Sequence, residues 1–567
     1  MNARYVKRFA AVITAMTMLL CFIPMRPVSE THAVSAPSGD INGTGTAAEY
    51  ETKVFDTEKP LSVEIDMDAK QWKKLLKNAS EKKWQSCDVT INGTKFKKVG
   101  IRTKGSSSLE SIADTPNCDR YSFKLKFDKY NDNQRCWGLD KLCLNNNYGD
   151  ATNMKDALVY DMFRFMGGEA PLYNFAKISV NGNYWGVYLA LEAVDQSFLE
   201  RNYGRQTGAC YKPGEGGDAD ENWDESEWEN WDESEWNEEE GDSQVMGGGS
   251  DLKYIDDNPD SYFALWPSQV NKTNASDHAR VVKALKHIND KDSLEQYMDM
   301  DSVLKYMAVH NFSVNYDSLS GEGDHNYYLH EKDGKLSLIP WDYNLCFGAY
   351  SMESETDDTG ADGGWANPSD IVNSPIDDHW RLTDFFTGIL DDKEYLARYH
   401  AYYQKLIDEY VLGGGFDTFY SRTRAQINEL VKTDPNAFYT YEAYDAGAKM
   451  LKKTVYLRGQ SIKGQLNGTI PSTAAEQKKH PEQLIKADGI RIEVMGSDMI
   501  GPEPDKFDEM EQLDENAGWD EEAEWKALVE QQKQQKRSNV KKNGLQYGVS
   551  LLAIAAALVA VRRYRRR

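Results

Sequence analysis

Apolar and polar residues alternate through "LSVEIDM" at 61–67 and "CDVTINGTKFKKVGIRTKG" at 87–105, a period of two that predicts half-buried strands. Asn92–Gly93 inside the second run is a strong two-residue hairpin signal. "YSFKLKF" at 121–127 is the clearest strand, with Tyr121, Phe123, Leu125 and Phe127 on one face and Lys124 and Lys126 on the other. The period then lengthens: Met154, Ala157, Leu158, Met162, Phe165 and Met166 recur at helical spacing, and Gly167–Gly168 stops the helix. "AKISVNGNYWGVYLALEAVD" at 176–195 is a further hairpin, turning at Asn181–Gly182. From Ser250 onward helical patterns dominate, in "DHARVVKALKHI", "DSVLKYMAVHNF", "KEYLARYHAYYQKLIDEYV" and "FDTFYSRTRAQINELVKT". A β-rich region at 51–195 followed by a helical region at 196–480 predicts an α+β protein of two lobes.

The hydropathy of the flanks predicts export and tethering. Arg4, Lys7 and Arg8 precede an apolar run and "THA" ends at 33, the pattern of a signal peptide over 1–33, followed by a Ser/Gly/Thr-rich linker at 34–50. A charged stalk at 481–544 leads to an apolar run at 545–561 and an arginine-rich tail at 562–567, the pattern of a transmembrane helix with a cytoplasmic tail. The expected location is therefore the cell membrane, single-pass, with the body on the extracytoplasmic side. Within the body, "NWDESEW" occurs at 222–228 and again at 230–236, inside an acidic insertion at 213–252 predicted to be disordered. Ser226 and Ser234, each set among acids, are expected autophosphorylation targets.

Composition narrows the partners. With 567 residues the chain is long enough for two lobes plus tails, and its net charge of −25 argues against nucleic acid, whose phosphates require a basic surface. Of seven cysteines, Cys21 falls in the leading apolar run, leaving an even number for possible disulfides of unreadable pairing.

One segment carries candidate chemistry. "NYYLHEKDGKLSLIP" at 326–340 reads as a hairpin, and "WDYN" follows it. A three-residue turn at "KDG" would pair Glu331 with Lys335, set Asn326 opposite Pro340, and bring Asn326 and Asp342 to one face as diagonal neighbours. A two-residue turn would put Asn326 on the opposite face. Carboxylate and amide oxygens so placed suit Mg²⁺ or Mn²⁺. Asp317 precedes them in a loop, so Asp317, Asn326 and Asp342 follow the order of the catalytic aspartate, metal-binding asparagine and metal-binding aspartate of protein kinases. "GIRTKGSSSL" at 100–109 supplies Arg102, Lys104 and Ser107 in a turn able to meet phosphates, Lys126 is placed to reach them, and Asp156 to pair with Lys126.

The segments "GIRTKGSSS", "YSFKLKF", "MKDALVYDMFRFMGG", "ISVNGNYWGVYLALEAVDQSFLERNYG", "ACYKPGEG", "HNYYLH" and "IPWDYNLCFG" follow one another as in the CotH family, the spore-coat-protein-H-like atypical kinases, which this chain resembles over roughly 55–465. The resemblance implies a divergent kinase-like fold and transfer of the ATP γ-phosphate to Ser or Thr of a surface or coat protein, with a divalent metal. It implies Asp317 as the catalytic-loop aspartate, Asp342 as the metal-binding aspartate, Lys126 as the strand lysine and Glu192 as the acidic residue ending the interlobe strand, with Asn326 and Asp156 carried alongside. Many members have Asp where this chain has Asn344, a metal-ligand position one charge poorer here. The competing reading is a scaffold that keeps the fold with little catalysis and serves surface protein assembly.

Overall fold

A computed structural model describes residues 48–213, 248–321, 324–350, 367–378 and 384–497. The expected signal peptide, the "NWDESEW" repeats with Ser226 and Ser234, the outer part of the stalk, the 545–561 run and the basic tail lie outside the described residues.

The alternating segments form β1 (Leu61–Asp66), β2 (Gln85–Ile91), β3 (Thr94–Lys104), β4 (Ser122–Lys126), β5 (Lys141–Asn145), β6 (Tyr173–Val180) and β7 (Asn183–Glu192). Their order β1-β2-β3-β4-β5-β7-β6 is closed by a parallel pairing of β6 with β1, in which Leu61 lies opposite Ala176 and Ile65 opposite Val180. Val63, Ile65, Val89, Ile101, Phe123 and Leu144 fill the interior, each almost wholly buried. This closed seven-stranded barrel overturns the expected two-lobed kinase-like fold. Alternation assigns each strand its faces but says nothing of which edges meet. Here both terminal strands carry apolar inner faces, so pairing them satisfies two rows of backbone groups and buries both.

Against the expected transmembrane helix and single-pass membrane location stands one finding: among the described residues no helix is long and apolar enough to cross a membrane. The expected stalk also begins too early. Ile490, Ile492, Val494 and Met495 are buried, and the Ala151 N–H donates to the Met495 carbonyl at 3.2 Å, so residues to 497 belong to the folded body. At the end of the expected acidic insertion, Ser250 and Leu252 are buried as well.

The helices that matter for the site are α1 (Ser107–Asp114), α2 (Lys155–Met166), α3 (Gln196–Tyr203), α4 (Ala275–Asn289), α5 (Met300–Ser313), α6 (Lys393–Lys405), α7 (Gly415–Lys432) and α8 (Tyr441–Leu466). A second sheet of order β10-β9-β8 joins β8 (Ala209–Tyr211) to the hairpin β9 (Tyr327–Lys332) and β10 (Lys335–Pro340). Helix α2 ends as its glycines predict, with Gly167 N–H donating to the Arg164 carbonyl and Gly168 N–H to that of Phe163, a Schellman closure. Its buried residues, including Ala157, Leu158, Tyr160 and Phe163, join the helical core.

The C-terminal end of α5 is held from far away in sequence. Arg458 of α8, fully buried, donates from Nε to the Phe312 carbonyl at 2.6 Å and from Nη2 to the Asn311 carbonyl at 2.6 Å. Last-turn carbonyls of a helix lack intrahelical partners, and this guanidinium supplies them. The chain leaving α5 toward Asp317 is thereby anchored.

Candidate functional site

A cavity of about 410 Å³ lies where the outer face of the barrel meets the chain following α5. On β4 and β5 the residues that alternate with the barrel core point outward: Ser122 and Lys124, then Lys141, Cys143 and Asn145, all line the cavity. Lys104, at the end of β3, donates from Nζ to Asn145 Oδ1 at 2.7 Å and sits 5.9 Å above the Trp341 ring. Beside it Gly105, at φ +120°, makes the turn into α1, whose first residues Ser107 and Ser108 also line the cavity. The Ser106 side chain makes no cap bond, so the first N–H groups of α1 have no cap from that side chain.

The rest of the lining comes from irregular chain. The β9–β10 turn has two residues, Asp333 at φ 54° and Gly334 at φ 81°, and Lys335 lies opposite Lys332. This corrects the expected three-residue turn, since Asp-Gly favours the tight turn whose twist matches the strands. Extended regularly, the register would send Asn326 and Asp342 to opposite faces. Strand geometry instead stops at Tyr327 and Pro340, and Asn326 at φ 59° and Asp342 at φ 60° are left-handed. That conformation costs most residues about 1–2 kcal/mol, less for Asn and Asp, and it brings both side chains into the cavity lining.

Asp317 is clamped there. His325 Nε2 lies 2.9 Å from Oδ1, and Asn326 Nδ2 donates to Oδ2 at 3.0 Å and to the Asp317 carbonyl at 2.8 Å. Asp342 is fixed through its backbone, its N–H donating to the Tyr160 hydroxyl at 3.1 Å and its carbonyl accepting from Asn315 Nδ2 at 3.3 Å. The next N–H, of Tyr343, donates to Asp156 Oδ1 at 2.5 Å. Burial first, and the Asp342 carboxylate second, push the Asp156 carboxyl well above the usual range. Asn344 Nδ2 donates to the Tyr148 carbonyl at 2.8 Å. Because the amide nitrogens of Asn326 and Asn344 are committed to oxygen acceptors, their carbonyl oxygens remain as ligating atoms.

Among the described residues no group of three or more His, Cys, Asp or Glu is arranged to hold a metal ion. Here the donors are two carboxylates, Asp342 and Asp156, with two amides, which fits a hard cation that completes its shell with water and phosphate oxygens. The repulsion between those carboxylates is what such a cation would relieve.

Not every expected residue joins them. Lys104, Ser107, Asp156, Asp317, Asn326, Asp342 and Asn344 line the cavity, whereas Arg102, Lys126 and Glu192 do not. The Arg102 guanidinium lies 5.1 Å above the Trp84 ring. Lys126 Nζ is 3.9 Å from Asp128. Glu192, fully buried, accepts from Arg201 Nη2 at 2.6 Å and the Tyr50 hydroxyl at 2.8 Å, tying the first residues of the body to β7 and α3.

Sequence reasoning missed Lys124, Lys141, Lys212 and His325, all in the lining. The sign for Lys124 was present in the outward face it shares with Lys126. Which of the two meets the cavity depends on strand pairing: Lys104 opposes Ser122, Arg102 opposes Lys124 and Gly100 opposes Lys126, so Lys126 stands one strand repeat further from the cavity end. His325 carried no periodic signal. Asp195, just beyond β7, also lines the cavity, and burial raises its carboxyl to about 6 against the pull of Lys141.

Residues 101–462 match the sequence profile of the family described as CotH kinase protein. The chain belongs to that family. It is also similar to the inner spore coat protein H of Bacillus subtilis (strain 168), 24% identical over 337 residues that cover 58% of this chain and 79% of the relative. The matched CotH region takes in the barrel strands from β4 onward, the β9–β10 hairpin and most of α8, so every cavity residue named above falls inside it. Membership of a kinase family suggests kinase activity and, with it, a nucleotide and a divalent metal.

Proposed function

We propose that this chain is a kinase transferring the γ-phosphoryl group of ATP to a Ser or Thr hydroxyl of a protein, with a spore-coat protein the expected substrate class given its relative's name. The observation that carries this reading is the meeting, in one cavity, of a clamped aspartate, a carboxylate–amide oxygen set and a lysine wall on a chain of net charge −25. Lys104, Lys124 and Lys141, with the serine-led start of α1, are the groups for the nucleotide phosphates. Asp342, Asn326 and Asn344, with Asp156 behind them, are the residues for Mg²⁺ or Mn²⁺. Such an ion, when bound, offsets the charge of the phosphate oxygens. Asp317 accepts the proton of the attacking hydroxyl while its oxygen forms the new bond to phosphorus and the bond to the leaving ADP oxygen breaks.

The test is phosphoryl transfer by the full chain with γ-labelled ATP and Mn²⁺ or Mg²⁺. Asp317→Asn and Asp342→Asn should each lower transfer about 10²–10⁴-fold with the circular dichroism spectrum intact. Unchanged transfer in either variant would sink the reading, and absence of ATP binding to the wild type would favour a scaffold. Mass spectrometry of the same reaction reports whether Ser226 and Ser234 take phosphate.

A further inference from the structure

We infer that His325 is a positioning residue for phosphoryl transfer, acting by holding the carboxylate of Asp317 in a single plane; this rests on the kinase reading above. A carboxylate at the end of a loop turns about its last bond, and one donor does not stop it. Polar contacts on both oxygens do. His325 Nε2 lies 2.9 Å from Oδ1, and Asn326 Nδ2 donates to Oδ2 at 3.0 Å. Each oxygen carries a second lone pair, so the clamp leaves room to accept the hydroxyl of an incoming substrate.

Two consecutive residues do not ordinarily reach the same group from a strand, since neighbouring side chains point to opposite faces. They do so here because Asp324 at φ 48° and Asn326 at φ 59° bracket His325 in left-handed conformations that take the chain out of strand geometry just before Tyr327. A surface ion pair would not need this. Both partners of the contact line the cavity, with side-chain exposures of 21% for His325 and 14% for Asp317, so the pair lies where an acceptor would approach. Asn326 is buried and bonded to the Asp317 main chain as well as to its carboxylate, so that half of the clamp stays in place when His325 is changed. Removing His325 should therefore free the rotation of Asp317 without disturbing the oxygens assigned to the metal.

The experiment compares the full-length wild type, His325→Ala and His325→Gln, with Mg²⁺, γ-labelled ATP and dephosphorylated casein as acceptor, scoring both casein and the chain itself. Gln places its amide nitrogen near the position of Nε2 and keeps an N–H donor. His325→Ala is expected to lower kcat about tenfold to a hundredfold, the scale of a misplaced catalytic group, with the KM for ATP and calorimetric binding of Mg·ATP within about twofold of wild type. His325→Gln should recover most of the lost kcat. A wild-type kcat in His325→Ala overturns the inference, and so does a loss that Gln does not repair or one accompanied by lost Mg·ATP binding. If the wild type binds Mg·ATP but transfers no phosphate, the kinase reading itself fails and this inference with it, an outcome distinct from an active wild type indifferent to His325.

Discussion

On the barrel side of the cavity, Lys124, Lys141, Cys143 and Asn145 stand on the outer face of β4 and β5 while Phe123, Leu125, Leu142 and Leu144 fill the interior from the same strands. On the side that follows α5, Asp317, Asn326 and Asp342 come from chain that leaves regular structure, with left-handed φ at Val314, Asp324, Asn326 and Asp342. The first part of the lining is a by-product of core formation: a period of two that buries one set of side chains must present the other. The second part exists because tertiary contacts hold the backbone against its local preference. Arg458 grips the end of α5, and Tyr160 and Asp156 hold the N–H groups of Asp342 and Tyr343. The charge proposed for binding thus comes from the regular half, and the groups proposed for chemistry from the irregular half.

The largest blow to the regular half is Phe123→Ala. Phe123 is fully buried in the barrel and packs 5.4 Å, ring to ring, from Trp72. Its loss should cost about 3–5 kcal/mol, read from urea unfolding. If the barrel merely leans on the helical region, a much smaller loss will show it.

The next effect concerns Asp195, whose carboxyl is raised from 3.8 to about 6 by burial. The folded state holds this proton more tightly than the unfolded state does, so the stabilisation is full below about pH 3.8 and is lost as pH rises through about 6. The amount is about 3 kcal/mol at most. Asp195→Asn, which keeps the acceptor for the Ser197 N–H, should flatten this part of the pH dependence of the urea midpoint. An unchanged slope would place the Asp195 charge in a more solvated setting.

Smaller again is the contrast between two lysines of one strand face. Lys124→Met should weaken ATP binding about tenfold, roughly 1.4 kcal/mol, and Lys126→Met less than about twofold, both by calorimetry. The reverse order would mean that β4 enters the cavity by its other end. Smallest is Asn344→Asp, which removes the donor to the Tyr148 carbonyl and sets a carboxylate against that oxygen. Without metal it should lose about 1 kcal/mol of stability, and added Mg²⁺ should restore more stability to it than to the wild type. An equal response to Mg²⁺ would remove Asn344 from the proposed ligand set.

Much of the local architecture was legible in the residues themselves. The Asn92–Gly93 and Asn181–Gly182 turns close their hairpins as expected, with Ile91 opposite Thr94 and Val180 opposite Asn183. The outward placement of Lys124 followed from its neighbours Phe123 and Leu125. The site was legible only in part. Asp317, Asn326 and Asp342 do share one cavity, but the register argued for them was off by one, and left-handed backbone turns them together where strand geometry would have parted them. Nothing local announced that Glu192 would be consumed by Arg201 and Tyr50, or that His325 would meet Asp317.

What the sequence determined by itself is whatever is set by side-chain period and turn stereochemistry: which residues face a core, where tight turns fall and where α2 ends, because those forces act within a few residues. Closure of the barrel through β1 and β6, the choice of Lys124 over Lys126, the capture of the α5 carbonyls by Arg458 and the clamp on Asp317 were decided only by the tertiary structure. Each depends on groups far apart in the chain, or on backbone held away from its local minimum, and only the folded surroundings supply the partners that offset that cost.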